Sequence, residues 1–287
     1  MLLDRLRTGI FHRATTLPVA RFDLGSGRWA ATPPVGTGTR ERLSVATYNI
    51  WFDDKHAEQR YRAIADILSR HQPDVIAFQE VTPTALAVFL EHPWIRERYV
   101  STARVGDRVG NYGMLLLSRV PIDRVTYTTL PTRLSRGYLT AELTINGRSL
   151  SIVSIHLESG KAATHLRARQ LRRVFDFLRK SENAIIMGDF NMRDSENSLI
   201  DADYQDTWPA LRPGEPGFTE DTSINLMRFD MKNKHRHVRF DRVLTKGDSW
   251  TPAAIELLGR EPISDAQPRV FPSDHFGVVC ELVSSHR

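Results

Sequence analysis

The chain has 287 residues, with 39 Lys+Arg against 34 Asp+Glu and a formal charge of +5. At 41% hydrophobic and 25% charged residues, the composition is that of a globular protein and excludes disordered and fibrous classes. No apolar run approaches the roughly 18 residues of a membrane span, and the lone cysteine, Cys280, excludes a disulfide framework or a Cys-rich zinc site.

In chain order, residues 1–40 are expected to form a loosely structured arm. Pro18, Pro33 and Pro34 interrupt a segment with several Gly and Thr and no sustained periodicity. Charge breaks the apolar residues between Met1 and Arg7 before a signal-peptide core can form, which predicts an intracellular protein, cytoplasmic or nuclear. Residues 41–287 read as the catalytic domain. Strands are expected over 43–50 and 74–78, with a helix between them marked by Tyr61, Ile64, Ile67 and Leu68. Residues 83–89 suit a helix with Pro83 in its first turn, and 113–117 a buried strand. Strands at 138–145 and 149–155 flank Asn146-Gly147, a two-residue hairpin signal. A helix over 162–180 carries Leu171, Val174, Phe175 and Leu178 on one face. Its Arg167, Arg169, Arg172, Arg173 and Arg179 are expected on the solvated face. Further strands are expected at 184–187, 240–244 and 277–282. Hairpins mixed with helix-separated strands fit a simple doubly wound sheet poorly, and predict an α/β (α+β) chain with two packed sheets and helices outside.

Several of these strands end in polar residues: Asn49, Glu80, His156, then Asp189 and Asn191. Ser273-Asp274-His275 precedes the last strand. Taken singly, such residues are turn formers or caps. Together, on loops at the ends of rigid strands, they are placed as catalytic groups usually are. Two carboxylates, two carboxamides and an Asp–His pair form a hard-donor set suited to Mg²⁺ or Mn²⁺ rather than structural zinc. His235 and His237 sit among cations that would repel a dication. The constellation points to metal-assisted phosphoester chemistry.

Thr47-Tyr-Asn49, Gln79-Glu80, Asn111-Tyr-Gly-Met-Leu-Leu-Leu-Ser118, Gly188-Asp-Phe-Asn191, Asp241 and Ser273-Asp-His275 occur in order. Together they resemble the endonuclease/exonuclease/phosphatase superfamily over about residues 43–284. The resemblance implies a four-layered αββα sandwich, two mixed β-sheets packed face to face with helices outside. His156-Leu-Glu-Ser159, Arg239-Phe-Asp-Arg242 and Phe271-Pro-Ser-Asp-His-Phe-Gly277 are most similar to the 5′-tyrosyl-DNA phosphodiesterase branch. That branch implies Mg²⁺-dependent removal of a topoisomerase tyrosine from a DNA 5′ end, leaving a 5′ phosphate, by a monomer that needs no membrane. Two departures stand near the expected DNA end: Trp51 where Asp is usual, and Glu220 where an aromatic is common. Other activities of the same fold are a DNA endo- or exonuclease and an inositol-phosphate or sphingolipid phosphohydrolase. A catalytically dead binding module is a third reading, opposed by the intact Asn49, Glu80, Asp189, Asn191, Asp274 and His275.

The resemblance also implies roles. Glu80 would bind the metal, with Asn49 and Asp274 on the same side. Asp189 would orient or deprotonate the attacking water, while Asn191 and Asn49 hold water and phosphate oxygen. His275 would face the developing phosphorane charge. Its partner would be Asp241, because neighbours on an extended chain, such as Asp274, tend to point apart. His156 would be a second phosphate donor and Tyr112 a hydroxyl donor or packing wall. Ser159, Arg193, Phe240, Arg239, Arg236 and Lys234 would contact the DNA. The basic stretch Arg228, Lys232, Lys234, Arg236, Arg239 and Arg242 would hold the backbone, with binding that falls as salt rises. Phe240 is divided evenly between core and a surface for the terminal base.

Overall fold

The layers follow from side-chain parity, since successive residues of a strand face opposite sides of its sheet. A computed structural model describes the protein over residues 14–33, 37–106 and 112–285. The early elements are strands β1 (Ala14–Leu17), β2 (Ala20–Asp23), β3 (Arg28–Ala31) and β4 (Arg42–Asn49), then helix α1 (Ala57–His71) and β5 (Val75–Val81). Helices α2 (Pro83–Glu91) and α3 (Pro93–Arg98) lead to β6 (Val100–Arg104), β7 (Gly113–Ser118), β8 (Arg124–Thr129), β9 (Gly137–Ile145) and β10 (Arg148–His156). After α4 (Thr164–Phe177) come β11 (Ala184–Asp189), β12 (Gln205–Asp206), α5 (Thr207–Leu211), β13 (Glu220–Asp221) and α6 (Leu226–Asp230). The chain closes with β14 (His237–Val238), β15 (Asp241–Lys246), β16 (Trp250–Leu258) and β17 (Gly277–Ser284).

An eight-stranded sheet runs β16-β17-β4-β5-β7-β6-β2-β3, and a seven-stranded sheet runs β1-β8-β9-β10-β11-β15-β12. Both are mixed: β4 pairs parallel with β5 and β10 with β11, while the other pairings are antiparallel. Leu43, Val45, Val75 and Ala77 of the first sheet meet Ile152, Ile185, Met187 and Val243 of the second in a shared core. The alternate residues face outward. Ala46, Tyr48, Ile76 and Phe78 pack with Tyr61, Ile64 and Leu68 of α1 and Val88 and Phe89 of α2. On the other side Val153, Ala184 and Ile186 pack with Leu171, Val174 and Phe175 of α4. The result is the four-layered αββα sandwich. Among the described residues no helix is long and apolar enough to cross a membrane.

Two expectations need correction. Of the expected loose arm, residues 14–31 form β1, at one edge of the seven-stranded sheet, and the β2–β3 hairpin, at one edge of the other. Short edge strands are held by backbone pairing and carry mostly exposed side chains, so they leave no hydrophobic period to read. Residues 1–13, 34–36 and Asn111 lie outside the described residues. Arg167, expected on the solvated face of its helix, is fully buried. Its guanidinium bonds both oxygens of Glu196 at 2.9 and 2.8 Å and the carbonyls of Glu158 and Gly160.

Candidate active site

The parity that builds the inter-sheet core also delivers the polar cluster. Beyond Leu43 and Val45, the same face of β4 presents Thr47 and Asn49, and beyond Ile185 and Met187 the same face of β11 presents Asp189. His156 pairs with Asp189, and Asp189 with Asp241, across neighbouring strands. Between core and cluster, Gln79 spans the sandwich from Thr47 to Ser154, with its Nε2 3.1 and 3.3 Å from their hydroxyls. The site is thus the polar end of the hydrophobic core.

Glu80 does not follow from parity. In a regular strand its neighbour Gln79 faces the site and Glu80 would face the helices. A bulge opposite β7 inserts one residue between Gln79 and Val81, and Glu80 adopts the left-handed conformation at φ 62°. Val81 thereby returns to the helix-side core, and the Glu80 carboxylate accepts the Phe52 N–H at 3.1 Å. Trp51 and Asn191 are also left-handed, at φ 58° and 51°. Three non-glycine residues in that rare region border one site, where backbone strain tends to collect.

Asp189 is the best-held side chain. Its Oδ1 accepts the Asn191 N–H at 2.8 Å, and its Oδ2 accepts the side-chain amides of Asn49 and Asn191, each at 3.0 Å. Burial raises its pKa, His275 opposes that, and Asp241 adds to it. His275 Nδ1 lies 2.7 Å from Asp241 Oδ2. Burial alone would strip this imidazole of its proton, but Asp241, then Asp274 and Asp189, outweigh burial and hold its pKa well above the usual value. His275 is therefore a buried imidazolium.

His156 is the opposite case. Burial, then Arg136 and His275, push its pKa well below the usual value, so it is neutral. Arg136 Nη1 donates to its Nδ1 at 2.9 Å, which leaves the proton on Nε2. That Nε2 lies 3.4 Å from Asp189 and 3.8 Å from Glu80. Arg136 also donates to the Tyr112 hydroxyl at 2.9 Å. The Tyr112 ring stacks on the His156 ring at 6.0 Å and lies tilted 4.6 Å from the exposed Phe52. Sequence reading missed Arg136, which lies in a polar loop where no apolar strand ends. Only the fold brings it to the site.

At the far end Phe240 is buried, with its ring 6.0 Å from His275 and the guanidinium carbons of Arg193 and Arg236 over its faces at 5.9 and 5.7 Å. Arg239 does not join them. It is buried and bonds Asp206 at 2.8 Å and Asp194 at 3.0 Å, and Arg242 bonds the same two carboxylates. Arg228 lies 2.7 Å from Glu220, and Arg236 3.2 Å. Most of the basic stretch is thus neutralised internally, which a one-dimensional charge run cannot show. Glu220 itself is buried in those ion pairs. Trp51 is buried against Met227, Val270, Phe271 and Phe276, beneath the Arg60 guanidinium. Neither departure offers its side chain to a DNA end. Ser159 and Lys234 are exposed, and no hydrogen bond or ion pair among the described residues draws them into the cluster.

This division predicts contrasting variants. Arg239→Ala should cost about 1–3 kcal/mol of unfolding free energy, because Asp206 loses a buried partner, and leave DNA affinity unchanged. Lys234→Ala should leave the melting temperature unchanged and lower the slope of log Kd against log salt by about 0.7 for a single strand. Thermal melts and anisotropy titrations at several salt concentrations measure both.

Glu80 and Asp274 have the character of a cation site. The Glu80 carboxyl is pushed up to about 7, by burial first and then by Asp274. A carboxyl held up by burial and by a neighbouring acid is the arrangement a divalent ion relieves. Asn49 keeps a lone pair on the oxygen that accepts the Trp51 N–H at 3.1 Å. Ligand-type atoms of Asp189, Asp241 and His275 also lie within 4.8 Å of one another. Those of Asp241 and His275 are already joined in a charge-assisted hydrogen bond, so the Glu80–Asp274 side fits a metal better.

Residues 46–275 match the Endonuclease/Exonuclease/phosphatase family. The chain is 29% identical over 267 residues to Tyrosyl-DNA phosphodiesterase 2 of Mus musculus, covering 87% of this chain and 69% of that protein. The fold is similar to a crystal structure of D. rerio TDP2 complexed with single-strand DNA product, with a TM-score of 0.71 and 26% identity over 85% of this chain and 100% of that one. Truncated Caenorhabditis elegans TDP2 gives a TM-score of 0.72 at 25% identity, over 85% of this chain and 98% of that one.

Proposed function

We propose that this chain, which belongs to the endonuclease/exonuclease/phosphatase family, is a phosphodiesterase that hydrolyses the bond between a tyrosine and a DNA 5′ end, leaving a 5′ phosphate. Residues 41–287 act as its catalytic domain. The observation that carries the reaction class is a buried carboxylate, Asp189, beside an imidazolium, His275, locked by Asp241. The substrate reading rests on the likeness to tyrosyl-DNA phosphodiesterases over most of the chain.

The division of labour follows from protonation. Asp189, raised by burial and steered by two amides, takes a proton from the water that attacks phosphorus. His275, already charged, donates to a phosphoryl oxygen as negative charge grows there. His156 offers its Nε2–H to a second oxygen, in the tautomer that Arg136 imposes. A tyrosyl phenolate, with a pKa of about 10, leaves without a dedicated acid. A divalent cation held by Glu80 and Asp274 with Asn49, Mg²⁺ or Mn²⁺, would supply Lewis-acid neutralisation of the phosphoryl oxygens. Arg193 and Arg236, packed over the buried Phe240 ring, suit the phosphates at the end of a single strand, with Ser159 and Lys234 taking its backbone further out. An intracellular monomer goes with that reading.

Metal binding should depend on pH. A protonated Glu80 cannot ligate, and its carboxyl titrates at about 7 in the metal-free protein. Affinity should therefore be constant above that pH and weaken about tenfold per unit below it. Titration calorimetry with Mn²⁺ from pH 5.5 to 8 reads this, and Glu80→Gln should abolish the dependence together with most of the affinity.

The function is tested by one panel with Mg²⁺: a 5′-phosphotyrosyl oligonucleotide, an abasic duplex, an inositol phosphate and sphingomyelin. Release of tyrosine with a 5′ phosphate is expected from the first and no turnover from the rest. Turnover of another substrate alone would overturn the reading.

A further inference from the structure

The tyrosine in such an adduct belongs to a polypeptide, and that chain needs a path away from the phosphorus. A cavity of about 970 Å³ opens at Arg136, the residue that bonds Tyr112 and His156. It is lined by Thr15, Thr16, Arg104, Tyr127, Thr129 and Arg136, and a narrower pocket connects it to Tyr112 and His156 through Arg104, Tyr127 and Arg136. The volume far exceeds that of one phosphate, and the polar part of the lining is hydroxyls and two guanidinium groups. Arg104 lies 5.4 Å over the Tyr127 ring, and among the described residues no carboxylate lines the cavity beside Arg104 and Arg136. Two cations without a lining carboxylate give the cavity a positive field that favours anionic groups.

Resting on the proposed activity, we infer that this cavity binds the peptide attached to the scissile tyrosine, with a preference for acidic residues near that tyrosine. Two features favour a peptide over a second stretch of DNA. β1 is the end strand of its sheet, and among the described residues its outer backbone edge is unpaired. Thr15 and Thr16 there are exposed. An open edge offers N–H and C=O groups in the spacing an extended peptide matches and a sugar–phosphate chain does not. The Tyr127 face, where a base would stack, is covered by Arg104. The two guanidinium charges supply the acidic preference, since no carboxylate among the described lining residues offsets them and Arg pairs strongly with carboxylates.

The test uses the full chain and two readouts. Fluorescein-labelled seven-residue peptides with a central phosphotyrosine, flanked by Glu or by Lys, are titrated by anisotropy. In parallel, kcat/KM is measured for a 5′-tyrosyl oligonucleotide bearing free tyrosine or the Glu-flanked peptide. The Glu peptide should bind at least about fivefold tighter than the Lys peptide, and the peptide-bearing oligonucleotide should show a matching gain in kcat/KM. Arg104→Gln should remove both differences and leave hydrolysis of the free-tyrosine substrate unchanged. Thr16→Glu, on the exposed strand, should do the same by repulsion and guards against a folding defect in the first variant. Equal binding of the two peptides, or a ratio unaffected by both variants, overturns the inference while hydrolysis of the free-tyrosine substrate still stands. So does a parallel loss on every substrate in Arg104→Gln, which would mark a cavity that serves the DNA strand. Selective peptide binding without any tyrosine release would sink the phosphodiesterase reading and leave the peptide cavity.

Discussion

His275→Ala is expected to lower kcat on a 5′-tyrosyl oligonucleotide by about a thousandfold, in line with the loss of one charged donor to a transition-state oxygen. The geometry makes His275 more than a neutral hydrogen-bond donor. Its Nδ1 is fixed by Asp241 at 2.7 Å, so Nε2 is the atom left for substrate. Burial works against its charge, and the surrounding carboxylates win. Activity that needs the imidazolium persists below its raised pKa and disappears as pH rises through it. In Asp241→Asn the chief raising partner is gone, so the alkaline limb of the pH–rate profile should move to lower pH. A merely structural pair would lower kcat without moving that limb. Near-normal kcat in purified, folded His275→Ala would remove His275 from the reaction.

Asp189→Asn should cost about 10²–10⁴ in kcat, the range for loss of a positioned general base. The substitution is nearly isosteric, but not silent for the fold. Three N–H donors converge on this carboxylate, from Asn49, the Asn191 backbone and the Asn191 side chain. An amide presents one oxygen, so one N–H would face another, at a cost of about 1–3 kcal/mol. The variant should melt earlier yet bind the oligonucleotide product as wild type does. Its acid limb should also change. In the wild type Asp189 must be ionised to accept a proton, and burial raises its pKa, so activity rises with pH through that value. Without the base, that rise should vanish. A variant with intact kcat would transfer the role to another group.

Much of this was legible in the sequence, and the reason is parity. β4 and β11 each carry apolar residues up to an inward-facing polar one, so Asn49 and Asp189 could be read as strand-end groups, whereas Asp241, which opens β15, came from the family resemblance. What stayed hidden depends on contacts between distant segments. Arg136 and Arg167 lie in segments whose local pattern predicts solvent, and only tertiary packing supplies Tyr112 and His156 for one and Glu196 for the other. The charge run from Arg228 to Arg242 looked like a surface for polyanions because its partners, Glu220, Asp206 and Asp194, come from other elements. β1 to β3 were invisible because edge pairing needs no hydrophobic period.

The extra residue in β5 also bears on how the protein can change. Glu80 is aimed by counting as much as by identity, since closing the bulge against β7 would rotate it to the opposite side of the sheet. Waiting there are Phe78, Leu115 and Leu117, all buried. A carboxylate thrust among them would have to lose its charge or force the layer apart. The oily side of the strand therefore acts as a proofreader for the wet side. A lineage could exchange many surface residues freely, but a one-residue deletion in β5 would reach the chemistry and the packing in a single step.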